Sequence, residues 1–150
     1  MGDKRLIHIV DDEDSIRRSA GFMLKTSGFA VETWTSGVEF LKHVKNAEPG
    51  CILLDVRMPE MDGLEVQQAL AERGVAMPVV VLTGHGDISI AVRAMKAGAV
   101  DFIEKPFEKA VLISAIETAF ARLDDTEGRA SRSAEAAVLV AGLTAREQDV

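Results

Sequence analysis

The chain has 150 residues, 47% of them apolar, enough for one domain with a real core plus a tail. Its 17 basic residues against 24 acidic ones leave a formal charge of -7, which argues against nonspecific attraction to nucleic acid or to an anionic membrane. A lone cysteine, Cys51, excludes a disulfide framework and suits the reducing cytoplasm, and no apolar run approaches membrane-spanning length.

Residues 5–10 read as a first strand, with too few apolar residues before Asp11 for a signal peptide. A helix follows over 13–26, placing Ile16, Ala20, Met23 and Leu24 on one face and Gly28 just past its end. Residues 29–34 return as a strand. Ser36 and Glu39 form a capping-box signature for a short helix with Leu41 and Val44 inward, and Pro49-Gly50 ends that connection. The run 51–55 is apolar until it closes on Asp55, and it reads as a third strand buried on both faces. A helix from Gly63 or Leu64 to about Arg73 carries Leu64, Val66 and Leu70, and Gly74 and Pro78 lead into a fourth strand over 79–83. Asp87 or Ser89 caps the next helix, with Ala91, Ala94 and Met95 inward and Gly98 as its left-handed stop. A fifth strand over 100–104 and a helix over about 107–123, with Leu112, Ile116, Ala119 and Phe120 at helical spacing, complete the domain.

Strands alternating with helices indicate an α/β fold, a five-stranded doubly wound parallel sheet with right-handed crossovers. In the strand order 2-1-3-4-5, strands one, three, four and five are neighbours, and ligands bind beyond their carboxyl ends. Those four strands end in Asp11 and Asp12, Asp55, Thr83 and Lys105. The second ends in Thr33-Trp34, which carries no comparable group. The domain is therefore expected over 1–123. Residues 124–141, small and charged before turning apolar, read as a linker, and a second capping box at Thr144 and Glu147 opens a helix within 142–150.

Carboxylates gathered at one rim repel, at about 4 kcal/mol for a pair about 4 Å apart at an effective dielectric near 20. An all-oxygen donor set favours magnesium, Mg2+, over zinc, although Asp11 and Asp12 also suit a plain helix cap. Lys105 offers a compact positive charge to Asp55 or to a phosphoryl group, and Thr83 and Gly84 offer a hydroxyl and an amide to phosphate oxygens. A carboxylate beside a metal and a lysine is a competent nucleophile toward phosphorus. His8, inside the first strand, reads as a satisfied core residue.

Val10-Asp11-Asp12-Glu13, the stretch from Leu54-Asp55 to Asp62-Gly63, Leu82-Thr83-Gly84-His85-Gly86 and Lys105-Pro106-Phe107 resemble the receiver domain of two-component response regulators, over about residues 5 to 122. Gly84-His85-Gly86-Asp87 and the run from Arg93 to Phe102 further resemble the FixJ-like transcriptional regulators, and Leu143 to Glu147 resembles the start of a LuxR-type helix-turn-helix output domain, here truncated. The resemblance implies a flavodoxin-like (βα)5 receiver fold whose Asp55 accepts a phosphoryl group from a sensor histidine kinase. It implies Mg2+ held by Asp12, Asp55 and the Arg57 main-chain carbonyl, with Asp11 acting through water. Lys105 would bind a phosphoryl oxygen, Thr83 would move to meet another, and Phe102 would swing inward, all across a cis Lys105-Pro106 bond. Arg57 and His85 would tune hydrolysis. A homodimer formed on phosphorylation would use the fourth helix, with Val92 and Lys96 as candidates, and DNA would be bound by the output domain, with no membrane contact.

Three rival readings differ in class, and the weakest, a nucleotide-binding loop at Gly84-His85-Gly86-Asp87, lacks a third glycine and lies after the fourth strand. An aspartyl-nucleophile phosphohydrolase would carry a second Asp where Arg57 stands. A stand-alone receiver would act through a protein partner, with no DNA-binding domain.

Overall fold

The computed structural model describes residues 5–84 and 86–123. Five strands alternate with five helices: β1 (Leu6–Val10), α1 (Asp14–Thr26), β2 (Ala30–Trp34), α2 (Gly37–His43), β3 (Cys51–Asp55), α3 (Gly63–Glu72), β4 (Val79–Thr83), α4 (Ile88–Lys96), β5 (Asp101–Glu104) and α5, described over 109–123. A 3-10 turn, Val44–Asn46, extends α2. The strands form one parallel sheet in the order β2-β1-β3-β4-β5, as the sequence pattern requires. The linker and helix-turn-helix expectations, at 124–141 and 142–150, lie outside the described residues.

Side chains of a strand alternate between faces, so each central strand feeds two cores. On one face Ile7, Ile9, Leu53, Val80 and Leu82 pack against Leu24 of α1 and Leu112 and Ile116 of α5. On the other, Val10, Ile52, Leu54 and Val81 meet Phe40 of α2, Val66 and Leu70 of α3 and Ala94 of α4. Every residue of β1, β3 and β4 is buried. At about 25 cal/mol per Å2 of apolar surface, each fully buried Leu or Ile contributes about 2–3 kcal/mol, so the central strands supply a large share of the domain's apolar stabilisation.

His8 is wholly buried and its two ring nitrogens are satisfied. Trp34 Nε1–H donates to Nδ1 at 3.1 Å, so Nε2 carries the proton and donates to the Glu48 carbonyl at 2.7 Å. Glu32 lies 3.6 Å from the same Nδ1, which is already filled as an acceptor.

Several local expectations shift. The last helix begins at 109, because the Glu108 carbonyl accepts the first intrahelical bond, from Leu112 N–H at 3.1 Å. Met95 is 39% exposed and is not part of the inward set. The inner face of α4 is made by Ala91 and Ala94, small enough for close approach, and the longer side chain is left at the edge. The Ser36 capping box is half formed: Ser36 Oγ accepts from Glu39 N–H at 3.0 Å, but the Glu39 carboxylate turns to His43 at 3.1 Å. A complete box stands at the start of α3, where Asp62 and Glu65 satisfy each other's backbone amides at 2.9 Å.

Candidate functional site

The four neighbouring strand ends converge. Asp11 follows β1 and is held at three points: Oδ1 accepts Glu13 N–H at 2.8 Å, its own N–H donates to the Trp34 carbonyl at 3.2 Å, and its carbonyl accepts from Arg17 Nη1 at 2.7 Å. Asp55 closes β3 with its side chain 4% exposed, and Oδ1 accepts Arg57 N–H at 3.3 Å. Gly63 permits α3 to start directly behind it. A Cβ at that position would lie 2.5 Å from the Asp55 carbonyl oxygen and 2.7 Å from Val56 Cα. Asp12 projects into solvent, and carboxylate oxygens of Asp11, Asp12 and Asp55 lie within 4.8 Å of one another.

Lys105 reaches into this cluster from the end of β5, its backbone N–H fixed on the Thr83 carbonyl at 2.8 Å. Its Nζ is 3.2 Å from Asp11 Oδ2 and 3.3 Å from Asp55 Oδ1, and it donates to Glu13 Oε1 at 3.0 Å. Burial, with the Asp11 charge added, pushes the Asp55 carboxyl up to about 7 against the pull of Lys105. Burial also raises Asp11, although the Glu13 amide and Lys105 oppose it. Burial alone would lower the Lys105 ammonium, but the Glu13 hydrogen bond and the Asp55 and Asp11 charges override it and raise it.

Among the described residues one ammonium thus faces Asp11, Asp55 and Glu13, with Asp12 at the rim, and these groups keep an excess of negative charge. That excess, in a set made only of oxygen donors, fits a hard divalent cation such as Mg2+.

Thr83 ends β4 at 1% exposure, and its Oγ1 is buried without a hydrogen-bond partner. A buried hydroxyl in that condition costs about 1–3 kcal/mol, which a phosphoryl oxygen nearby could recover. Phe102, on the adjacent strand, stands outward at 39% exposure, and the Lys105-Pro106 bond is cis. Val92 is 45% exposed on α4 and Lys96 is exposed at its end. His85 lies outside the described residues.

The structure brings Asp11, Asp12, Asp55 and Lys105 together and sets Thr83 beside them on the next strand. The Arg57 guanidinium takes a direction the sequence did not announce, toward Asp87 at 2.9 and 3.1 Å. Two residues escaped sequence reasoning. Glu13 is a direct partner of Lys105, and its one signal was adjacency to Asp11 and Asp12. Asp87 takes the N-cap position expected of it, but its carboxylate serves Arg57 rather than the helix amides.

The response regulator receiver domain family matches this chain over residues 7–117. The chain is 43% identical over 144 residues to the transcriptional regulatory protein FixJ of Azorhizobium caulinodans, covering 96% of this chain and 68% of that one. It is 44% identical to FixJ of Rhizobium meliloti over 96% of its length and 71% of the relative. The response regulator protein TmoT of Ectopseudomonas mendocina is 41% identical across 97% of this chain and 66% of its own length, so this chain spans about two thirds of such relatives. Among solved structures, FixJ-N superposes with a TM-score of 0.74 at 49% identity, covering 78% of this chain and 94% of that one. Full-length FixJ from B. japonicum gives 0.80 at 37% identity, over 95% and 70%. With the family matched across most of the domain and the strand order and converging acids in agreement, the chain belongs to the response regulator receiver domains of two-component signalling.

Proposed function

We propose that this chain is the phosphoacceptor module of a transcriptional response regulator in the cytoplasm, with Asp55 as the acceptor. The observation that carries the reading is the Asp55 carboxylate, gathered with those of Asp11 and Asp12 within 4.8 Å and lying 3.3 Å from Lys105 Nζ. An Asp55 oxygen attacks the phosphorus of a sensor kinase phosphohistidine, a P–O bond forms as the P–N bond breaks, and the imidazole leaves and takes up a proton.

Asp12, Asp55 and the Arg57 carbonyl would hold Mg2+. The bound ion supplies neutralisation of the charge on the phosphoryl oxygens. Asp11, with Oδ1 committed to the Glu13 amide, is suited to act through water. Lys105 exchanges Asp55 Oδ1 for a phosphoryl oxygen, and the unpartnered Thr83 hydroxyl donates to another. Movement of Thr83 leaves space on β4 that Phe102, now outward, turns in to fill, and the α4-β5-α5 face carrying Val92 and Lys96 becomes competent for homodimerisation. His85 and Arg57 tune hydrolysis of the acyl phosphate, and a DNA-binding domain beyond the receiver provides the output. A phosphohydrolase role is disfavoured by Arg57, which is tied to Asp87 where that chemistry needs a second acid.

The deciding experiment is incubation with acetyl phosphate and Mg2+ followed by intact mass. One phosphoryl group is expected on the native chain and none on Asp55→Asn. A label persisting in Asp55→Asn, or found on another side chain, refutes the assignment.

A further inference from the structure

Arg57 leaves the turn after β3, and its guanidinium makes a two-point contact with a residue 30 positions away: Nε to Asp87 Oδ2 at 2.9 Å and Nη2 to Oδ1 at 3.1 Å. Asp87 occupies the N-cap position of α4, where a carboxylate ordinarily accepts an N–H of the first turn, yet it makes no such bond. Its carbonyl does accept from Ala91 N–H at 3.0 Å, so the helix starts normally and only the side chain is diverted. Each partner therefore has a second place to go. Arg57 is two residues from Asp55, and the amides of α4 await Asp87. Arg57 is 65% exposed, and a contact so open to solvent is weakly held and exchangeable. A groove of about 500 Å3 between α3 and α4, lined by Arg57, Asp62, Leu64, Ile90 and Arg93, gives the guanidinium room to turn.

We propose that Asp87 is a positioning residue for the chemistry at Asp55: it holds the Arg57 guanidinium off the carboxylate cluster, yields it to a phosphoryl group arriving on Asp55, and then caps α4. The inference rests on the phosphoacceptor reading above. The exchange is favoured because a phosphoryl group offers the guanidinium fork more charge and more acceptor oxygens than one carboxylate does. The released Asp87 gains a first-turn N–H and the positive end of the α4 dipole. The charge event is thereby written onto α4, which carries Val92 and Lys96, by a route separate from Thr83 and Phe102.

The test uses amide hydrogen exchange at Ser89 and Ile90 in the full chain and its variants, first with no phosphate donor. Asn caps a helix about as well as Asp but holds a guanidinium without charge, and Ala does neither. Arg57→Gln and Asp87→Asn are expected to slow exchange there by about three- to tenfold, and Asp87→Ala to leave it unchanged or faster. Unchanged exchange in Arg57→Gln overturns the proposal. With acetyl phosphate as donor, Asp87→Ala frees Arg57 and is expected to lower the half-saturating concentration about threefold at an unchanged limiting rate, an effect lost when Arg57→Gln is added. A drop that survives Arg57→Gln also overturns it.

Phosphorylated wild type is expected to match the slowed pattern of Arg57→Gln. Intact mass taken alongside separates the two readings. No mass gain refutes phosphoacceptance while the donor-free variants still decide the Arg57–Asp87 exchange, and a mass gain with α4 unchanged overturns the coupling alone.

Discussion

Replacing Asp55 by Asn should make the magnesium-free domain more stable, although it removes an ion pair. Burial and the Asp11 charge raise the Asp55 carboxyl from its ordinary 3.8 to about 7. At about 1.4 kcal/mol for each tenfold in proton affinity, that rise sets a ceiling of about 4 kcal/mol on the cost of the ionised group. Part of that rise comes from the Asp11 charge, and Asn forgoes the 3.3 Å contact with Lys105, so about 2 kcal/mol is the expected net gain. The sign follows from the raised value. Stability from a protonated Asp55 is fully present below pH 3.8 and is lost as pH rises through about 7, so Asn gains most in the alkaline range. Urea unfolding in EDTA at pH 8 should give the full effect, with about a third of it left at pH 5. Adding Mg2+ should reverse the ranking, since the wild type alone keeps the full donor set. An Asp55→Asn domain no more stable than wild type at pH 8 in EDTA refutes the claim that the cluster is held under repulsion.

Lys105→Met removes the one ammonium among the described residues in contact with Asp11 and Asp55, and should cost about 2–3 kcal/mol at pH 8 without Mg2+. The loss should shrink at pH 5, where Asp55 carries its own proton, and equilibrium unfolding at the two pH values reads it. Gly63→Ala should cost about 1–3 kcal/mol by forcing α3 away from the Asp55 carbonyl, and should lower phosphoryl uptake from acetyl phosphate measured by intact mass. Trp34→Phe keeps the ring contact with Phe40 but leaves His8 Nδ1 buried without its donor, and calorimetry should register a loss of about 1–3 kcal/mol. A Trp34→Phe domain as stable as wild type would mean that water reaches His8.

The strands β3 and β4 were legible to the residue because burial on both faces demands unbroken apolar runs, and Pro and Gly residues bound both of them. Asp55 and Lys105 were legible because polar groups at the ends of such runs have one physical place to go. Strand ends at the margins were less so: β5 starts at Asp101, one residue after the pattern allows, and Met95 fits the helical stripe numerically while α4 buries only its alanines. Two pairings of long side chains were not legible. Glu13 reaching Lys105 and Arg57 reaching Asp87 depend on rotamers and on how two turns face each other, and spacing along the chain carries no trace of either. The complete capping box at Asp62 was readable but was overshadowed by the Pro59 and Gly63 around it.

β3 occupies the middle of the sheet, with β1 on one flank and β4 on the other. A charge placed on its tip therefore strikes something like an anvil, since hydrogen bonds from both sides forbid the strand to slide. The turns on either side differ in what they offer a phosphoryl group: β4 and β5 end in the hydroxyl of Thr83 and the ammonium of Lys105, whereas the turn after β1 offers the carboxylates of Asp11 and Asp12, and the β2 end lends Asp11 a backbone carbonyl. Under the phosphoacceptor proposal the expected route of that charge is toward β4 and β5, and substitution of the solvent-facing Glu32 and Thr33 on the β2 edge is expected to leave phosphoryl uptake unchanged.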